Sequence, residues 1–127
     1  MKLLLDTHTF LWFIAGDTNL SITAQDLIND AANIKFVSTA SLWETAIKVS
    51  TGKLNLSASF DDLFPTQIES NGFELLQIKI SHVSFISKLP FHRDPFDRLL
   101  IAQAIEEKME IVSIDKVFDN YSVSRLW

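Results

Sequence analysis

The sequence predicts an α/β protein, a three-layer α/β/α sandwich around a mainly parallel sheet of four to five short strands. Short apolar runs that suit buried strands alternate with longer amphipathic segments that suit helices. The chain has 127 residues, of which 47% are hydrophobic, enough for a substantial core. Acidic residues directly follow two of the apolar runs. In a parallel sheet such positions lie at the edge where ligands bind.

In the first part of the chain, strands are predicted at Lys2–Leu5 and Lys35–Ser38. The first reads KLLL, and its continuous apolar run is typical of a strand covered on both faces. Helices are predicted over Thr7–Ala15, Thr23–Ala32 and Ser41–Ser50. In the third helix, the apolar periodicity is expected to turn inward Leu42, Trp43, Ala46 and Ile47.

In the second part, a helix is predicted over Phe60–Ser70, although Pro65 could bend or split it. Two further strands and two further helices follow. These are a strand at Glu74–Ile78, a helix at Ser81–Lys88, a helix at Pro95–Lys108 and a strand at Glu110–Ile114, which ends at Asp115.

The stretch HRDPFDRLLIAQA carries two aspartates at the start of the Pro95 helix. Asp94 suits the N-cap position because proline is favoured directly after it. Asp97 then falls at the third helical position, where it suits the helix dipole. However, Asp97 also extends the apolar stripe of Leu100 and Ile101, where a lone carboxylate is costly to bury. Asp97 therefore needs a partner from elsewhere in the chain.

The composition limits the classes of function. The net charge of −5 counts against broad, nonspecific binding of nucleic acid. It does not exclude a nuclease, because bound cations offset the charge of catalytic carboxylates. The chain has no cysteine, which excludes disulfides and thiolate metal sites. Asp6 and His8 interrupt the first apolar run, and no segment is long enough to span a membrane. We therefore expect a cytoplasmic protein with no membrane association.

Four acidic residues, Asp6, Glu44, Asp97 and Asp115, could meet at one edge of the sheet. Each also has a local explanation. Asp6 and Asp115 could cap the turns that follow them, and Glu44 could pair with Lys48 on a helix surface. Together, however, such carboxylates repel one another unless they are protonated or bound to cations. An oxygen-only ligand set favours Mg²⁺ or Mn²⁺, which organise phosphoryl transfer.

The same segments resemble the PIN-domain family, and specifically the VapC-like toxins of type II toxin–antitoxin pairs. The resemblance is carried by four motifs in order and covers essentially the whole chain. They are LLLDTH at Leu3–His8, SLWE at Ser41–Glu44 followed by IK and GKL, HRDPFDRLLIAQA, and SID at Ser113–Asp115 before Phe118 and Tyr121.

The resemblance implies one PIN domain over residues 1–127 and a Mg²⁺-dependent endoribonuclease in which metal-activated water attacks an RNA phosphodiester. The implied metal ligands and catalytic residues are Asp6, Glu44, Asp97 and Asp115. Asp94 is expected as a cap or a support for the ligands, and Thr7 and Ser113 as supporting hydroxyls. The candidates for phosphate contacts are Arg93, Arg98 and Lys48, although each could equally be a solvated surface charge.

The implied partners are an RNA substrate, a cognate antitoxin and a second copy of the chain, with DNA contacted only through the antitoxin. For all three histidines we expect a structural role, because no pair has metal-ligand spacing. Two alternatives remain. One is a noncatalytic module with an acidic groove. The other is a haloacid-dehalogenase-like phosphatase, which His8 disfavours because that class carries a second aspartate at this position.

Overall fold

The computed structural model describes residues 1–90 and 94–127, and these residues form a parallel five-stranded sheet in the order β3-β2-β1-β4-β5. The strands are β1 (Lys2–Leu5), β2 (Ile34–Ser38), β3 (Glu74–Leu76), β4 (Glu110–Val112) and β5 (Arg125–Leu126). The helices are α1 (Thr7–Ala15), α2 (Ile22–Asn29), α3 (Thr39–Ser50), α4 (Phe60–Ser70), α5 (Ile80–Ile86) and α6 (Pro95–Glu107), with a 3₁₀ helix at Lys116–Asn120. The predicted fold class is confirmed.

The central strand β1 separates two hydrophobic clusters. Leu3 and Leu5 pack on one face with Phe10, Ile28 and residues of α4, whereas Leu4 packs on the other face with α6. All three leucines have no exposed surface. Because side chains alternate along a strand, a continuous apolar run is what a strand between two helical layers requires.

The observed bounds differ from the predicted ones mainly at element ends. Strand β4 ends at Val112, so Asp115 lies three residues beyond it and caps the 3₁₀ helix instead of ending a strand. Strand β3 likewise ends at Leu76, and α2 ends at Asn29. Helix α4 has the predicted bounds and is continuous through Pro65, so this proline does not split it.

The predicted inward face of α3 is wrong for Trp43 and Ile47, whereas Leu42 packs against the hydrophobic cluster of Leu3 and Leu5 as expected. Trp43 and Ile47 are 58% and 41% exposed, whereas Ser41 and Thr45 are buried. The helix contacts both α1 and α6, and it presents small hydroxyl side chains to them. This rotation brings Glu44 and Lys48 to the edge of the sheet where α1 and α6 begin.

Within the described ranges, none of the helices combines the length and the apolar character needed to cross a bilayer.

Candidate metal centre

A cavity of about 350 Å³ lies where α1 and α6 begin, beyond the carboxyl ends of β1 and β4. It is lined by Asp6, Thr7, His8, Trp12, Glu44, Asp94, Asp97, Ile114 and Asp115. All four acidic residues predicted as ligands are present, and they come from four separate segments of the chain. Their meeting follows from the topology, because parallel strands deliver their carboxyl ends to one edge.

Asp6 is held rigidly at the start of α1. Its Oδ1 accepts a hydrogen bond from the Thr9 N–H at 2.9 Å, and its Oδ2 accepts one from the Ser113 hydroxyl. The Ser113 oxygen in turn accepts the Asp115 N–H at 3.0 Å. Ser113 has no exposed surface and Asp6 is only 7% exposed. One buried hydroxyl therefore joins the two acidic residues that follow β1 and β4.

Glu44 is oriented by a hydroxyl and a cation. Its Oε1 lies 2.7 Å from the Thr7 hydroxyl, and its Oε2 lies 3.1 Å from the Lys48 ammonium. Thr7 also contacts the Ser41 hydroxyl at 3.0 Å. A hydroxyl has one proton, and the carboxylate is the stronger acceptor. Thr7 therefore donates to Glu44 and accepts from Ser41.

Two aspartates bracket the start of α6. Asp94 Oδ1 accepts the N–H groups of Phe96 and Asp97 at 2.9 and 3.3 Å, so Asp94 caps this helix. Asp97 is partly buried at the third helical position and lines the cavity. Asp115 is exposed, and its Oδ1 accepts the Val117 N–H at 3.0 Å.

The loop that carries Ser113 and Asp115 is tied to β5. The Arg125 guanidinium donates to the Ser113 carbonyl at 3.1 Å and forms two hydrogen bonds with the Asp119 carboxylate. Those bonds lower the pKa of Asp119. The side chains around Asp6 are therefore supported by a strand that is distant in sequence.

The donor set suits a hard divalent cation, because it consists of carboxylates with hydroxyls behind them. In the part of the chain that the structure describes, no three acidic or histidine side chains already converge as ligands of one ion. Oxygens of four of the carboxylates instead accept the hydrogen bonds and the ion pair described above; these four belong to Asp6, Glu44, Asp94 and Asp115. A carboxylate oxygen that accepts one hydrogen bond retains a second lone pair. The residues therefore fit Mg²⁺ or Mn²⁺ by chemistry, and binding requires their side chains to turn towards a common point.

Sequence reasoning missed three lining residues: Ile114 and the two aromatic residues His8 and Trp12. Their rings are 5.9 Å apart, and Trp12 also lies 6.1 Å from Trp127. His8 is exposed and lines the cavity, and the structural role expected for it stays a prediction. His8 and Trp12 are four residues apart in α1, which places both on one helix face, and this spacing was the available signal.

His82, in contrast, has a structural role. Its Nδ1 accepts the Lys79 N–H at 3.0 Å, so the proton lies on Nε2 and is donated to Glu107 Oε1 at 3.0 Å. The hydrogen bond from Lys79, followed by that from His82, lowers the pKa of Glu107. This network joins α5 to α6.

The predicted phosphate contacts lie in different places. Lys48 lies at the cavity through its ion pair with Glu44. Arg98 instead donates to the Ile86 carbonyl at 3.0 Å, at the end of α5, and does not line the cavity. Arg93, like His92, lies outside the described residues.

Comparisons with known proteins give one family and several similar folds. The family model described as "PIN domain" matches residues 3–123. No match was found among curated proteins. The fold is similar to VapBC2 from Rickettsia felis bound to a promoter DNA fragment, with a TM-score of 0.71, 15% identity and coverage of 99% of this chain and 98% of that one.

Two other solved structures have a similar fold, with somewhat lower TM-scores. DNA-bound VapBC from Salmonella typhimurium has a TM-score of 0.68 at 14% identity, covering 99% of this chain and 97% of that one. The sarcin–ricin loop cleaving toxin VapC20 from Mycobacterium tuberculosis has a TM-score of 0.63 at 15% identity, with 95% of each chain covered. At these identities the likeness concerns the fold.

Proposed function

Because the chain belongs to the PIN-domain family, we propose that it is a Mg²⁺-dependent endoribonuclease and the toxin of a type II toxin–antitoxin pair. The observation that carries the proposal is the meeting of Asp6, Glu44, Asp97 and Asp115 at one cavity from four separate segments. VapC20, a similar fold, is a toxin that cleaves the sarcin–ricin loop. An RNA substrate is also the reason to expect a cytoplasmic location.

In this proposal each group of residues has a distinct task. The four carboxylates would hold Mg²⁺ or Mn²⁺, which when bound lowers the pKa of a water molecule and offsets the charge that develops on the phosphate. Thr7 and Ser113 keep Glu44 and Asp6 oriented. Asp94 aligns the start of α6 and thereby Asp97. No side-chain nucleophile is required.

The proposed antitoxin would act at the same cavity. Five carboxylates line it, and such a site attracts an arginine, whose guanidinium can bind a carboxylate with two hydrogen bonds. A C-terminal antitoxin segment carrying this arginine would compete with the metal. DNA would be contacted only through the antitoxin, in keeping with the DNA-bound VapBC structures of similar fold.

We also propose a homodimer. Apolar side chains remain exposed along one part of the surface, notably Ile80 at 90% and Val83 at 55% on α5. Ile78 precedes them and is 38% exposed. Large apolar side chains exposed so close together in the chain are a feature that an interface between two copies would bury.

The test is cleavage of a panel of RNA oligonucleotides by the purified chain with Mg²⁺, with Mn²⁺ or with EDTA. We expect cleavage with either metal and none with EDTA. Asp97→Asn should abolish it, whereas Asp26→Asn, at an exposed position on α2, should leave it intact. RNA that is bound but never cleaved would favour the noncatalytic module instead. Co-expression with the small protein encoded beside the chain should give an inactive complex.

A further inference from the structure

A second cavity, of about 410 Å³, adjoins the carboxylate cavity. Glu44 and Asp94 line both, so the two form one continuous surface. We call the second cavity the lysine groove. It is lined by Glu44, Ile47, Lys48, Thr51, Lys53, Asp94, Pro95 and Phe96.

The lysine groove brings together two short motifs, of which the metal centre uses only Lys48. Lys48 and Lys53 belong to the IK and GKL stretches. The chain turns back after α3, because Gly52 adopts a left-handed conformation with φ of 73° and the Lys53 N–H bonds to the Lys48 carbonyl at 2.9 Å. A residue with a side chain would be strained at Gly52. The turn therefore delivers both lysines to one groove.

The two lysines differ in their charge partners. Lys48 pairs with Glu44 at 3.1 Å and offsets part of the acidic charge. Lys53 is exposed, and within residues 1–90 and 94–127 its ammonium forms no ion pair. Its charge is thus available to an anion that lies beside the carboxylates.

The other wall of the groove is apolar and aromatic. The Phe96 ring packs edge-on against the exposed Trp43 ring, with centroids 5.1 Å apart and planes at 81°. Pro95 and the half-exposed Ile47 extend this wall. Lysines set beside an aromatic wall are a combination that proteins use to bind single-stranded nucleic acid without reading its sequence.

We propose that the lysine groove binds a nucleotide adjoining the scissile phosphodiester of single-stranded RNA, with Lys53 and Lys48 at its phosphate and Phe96 against its base. The inference rests on the proposed ribonuclease function. A chain of net charge −5 with five carboxylates at its cavity repels RNA, so a ribonuclease of this kind needs positive charge beside the cavity. Lys53, whose charge is not offset by an ion pair within the described residues, supplies positive charge beside the cavity.

The experiment compares Lys53→Met with Lys2→Met, a matched exposed lysine at the amino end of β1. Steady-state cleavage of a 12-nucleotide single-stranded RNA is measured over a range of salt concentrations. Lys53→Met should raise KM about three- to tenfold, with the loss falling on KM and not on kcat. The slope of log KM against log salt should also fall by about 0.7, as expected for one lost phosphate contact. Lys2→Met should match wild type.

A second variant tests the aromatic wall. Phe96→Leu keeps an apolar side chain but removes the flat ring, so it should raise KM while leaving the salt slope unchanged. If Lys53→Met and Lys2→Met share one KM and one salt slope while wild type cleaves RNA, the lysine groove assignment is wrong and the ribonuclease proposal stands.

A direct binding assay distinguishes the two proposals even if wild type does not cleave the RNA. Fluorescence anisotropy of the same labelled RNA in EDTA needs no cleavage. If wild type fails to cleave but binds this RNA in a Lys53-dependent manner, the ribonuclease proposal fails and the groove stands. Equal binding by wild type and Lys53→Met overturns the groove. Displacement of the RNA by polyglutamate of equal charge at equal concentration would also overturn it, since only the charge would then be recognised.

Discussion

Ser113→Ala is the most informative change at the metal centre, because this buried hydroxyl serves both Asp6 and Asp115. The variant loses one hydrogen bond to a charged carboxylate, worth about 1.5–3 kcal/mol, and one from a backbone N–H, worth about 0.5–1.5 kcal/mol. Asp115 is exposed, so water can replace part of the second. We expect a net loss of about 2–3 kcal/mol. For a chain of this size that corresponds to a Tm lower by about 6–15 °C.

Ser113→Ala should also weaken metal binding. Asp6 would keep its cap bond from Thr9 but lose the partner of its other oxygen. Removing a group that orients a ligand weakens metal affinity by about 10–100-fold. Two measurements check this: the Mg²⁺ concentration that gives half-maximal RNA cleavage, and the rise in Tm on addition of Mg²⁺, which depends on affinity without requiring activity.

Ser38→Ala is the matched control. Ser38 is also fully buried, and its hydroxyl accepts the Ala40 N–H at 3.0 Å as the cap of α3, but among the described residues it bonds to no carboxylate. Its loss should cost about 0.5–2 kcal/mol and leave the Mg²⁺ dependence unchanged. If both variants lose stability and both keep the Mg²⁺ dependence of wild type, then Ser113 does not orient a metal ligand and the reasoning fails.

Three further predictions concern separate parts of the molecule. Asp97→Asn should abolish Mg²⁺-dependent cleavage, whereas Asp94→Ala should cost about 0.5–2 kcal/mol as a lost cap and retain some activity; thermal melts and cleavage assays on both variants check this. The pKa of Glu107 is lowered from 4.5 by hydrogen bonds from Lys79 and then His82, so its ionised form stabilises the fold above that pH and the effect is lost as pH falls through the lower pKa. Glu107→Gln should therefore melt below wild type at neutral pH, with the difference shrinking in acid; a constant difference would contradict this. Ile80→Asp should convert a dimer to a monomer in light scattering, and a wild-type monomer at micromolar concentration would refute the dimer.

Local sequence patterns identified most of the helices and strands, and also the acidic residues of the site. The run KLLL predicted a strand covered on both faces, and β1 lies between two hydrophobic clusters. Proline after Asp94 predicted the start of α6, and Asp94 caps it. The four carboxylates follow such local landmarks, and the parallel topology places them at one cavity.

The tertiary structure decided which face of each helix or strand is buried and which face lines the cavity. Trp43 looked like a core residue, yet α3 buries Ser41 and Thr45 because α1 and α6 cover that side. His8 lies at the cavity for a similar reason, since α1 begins at the end of β1. The short strand Arg125–Leu126 has too few residues for a periodic pattern and exists through its pairing with β4. Caps and periodicity act between near neighbours, so the sequence by itself determined most of the elements. Burial and orientation depend on contacts between distant segments, and only the folded chain supplies those.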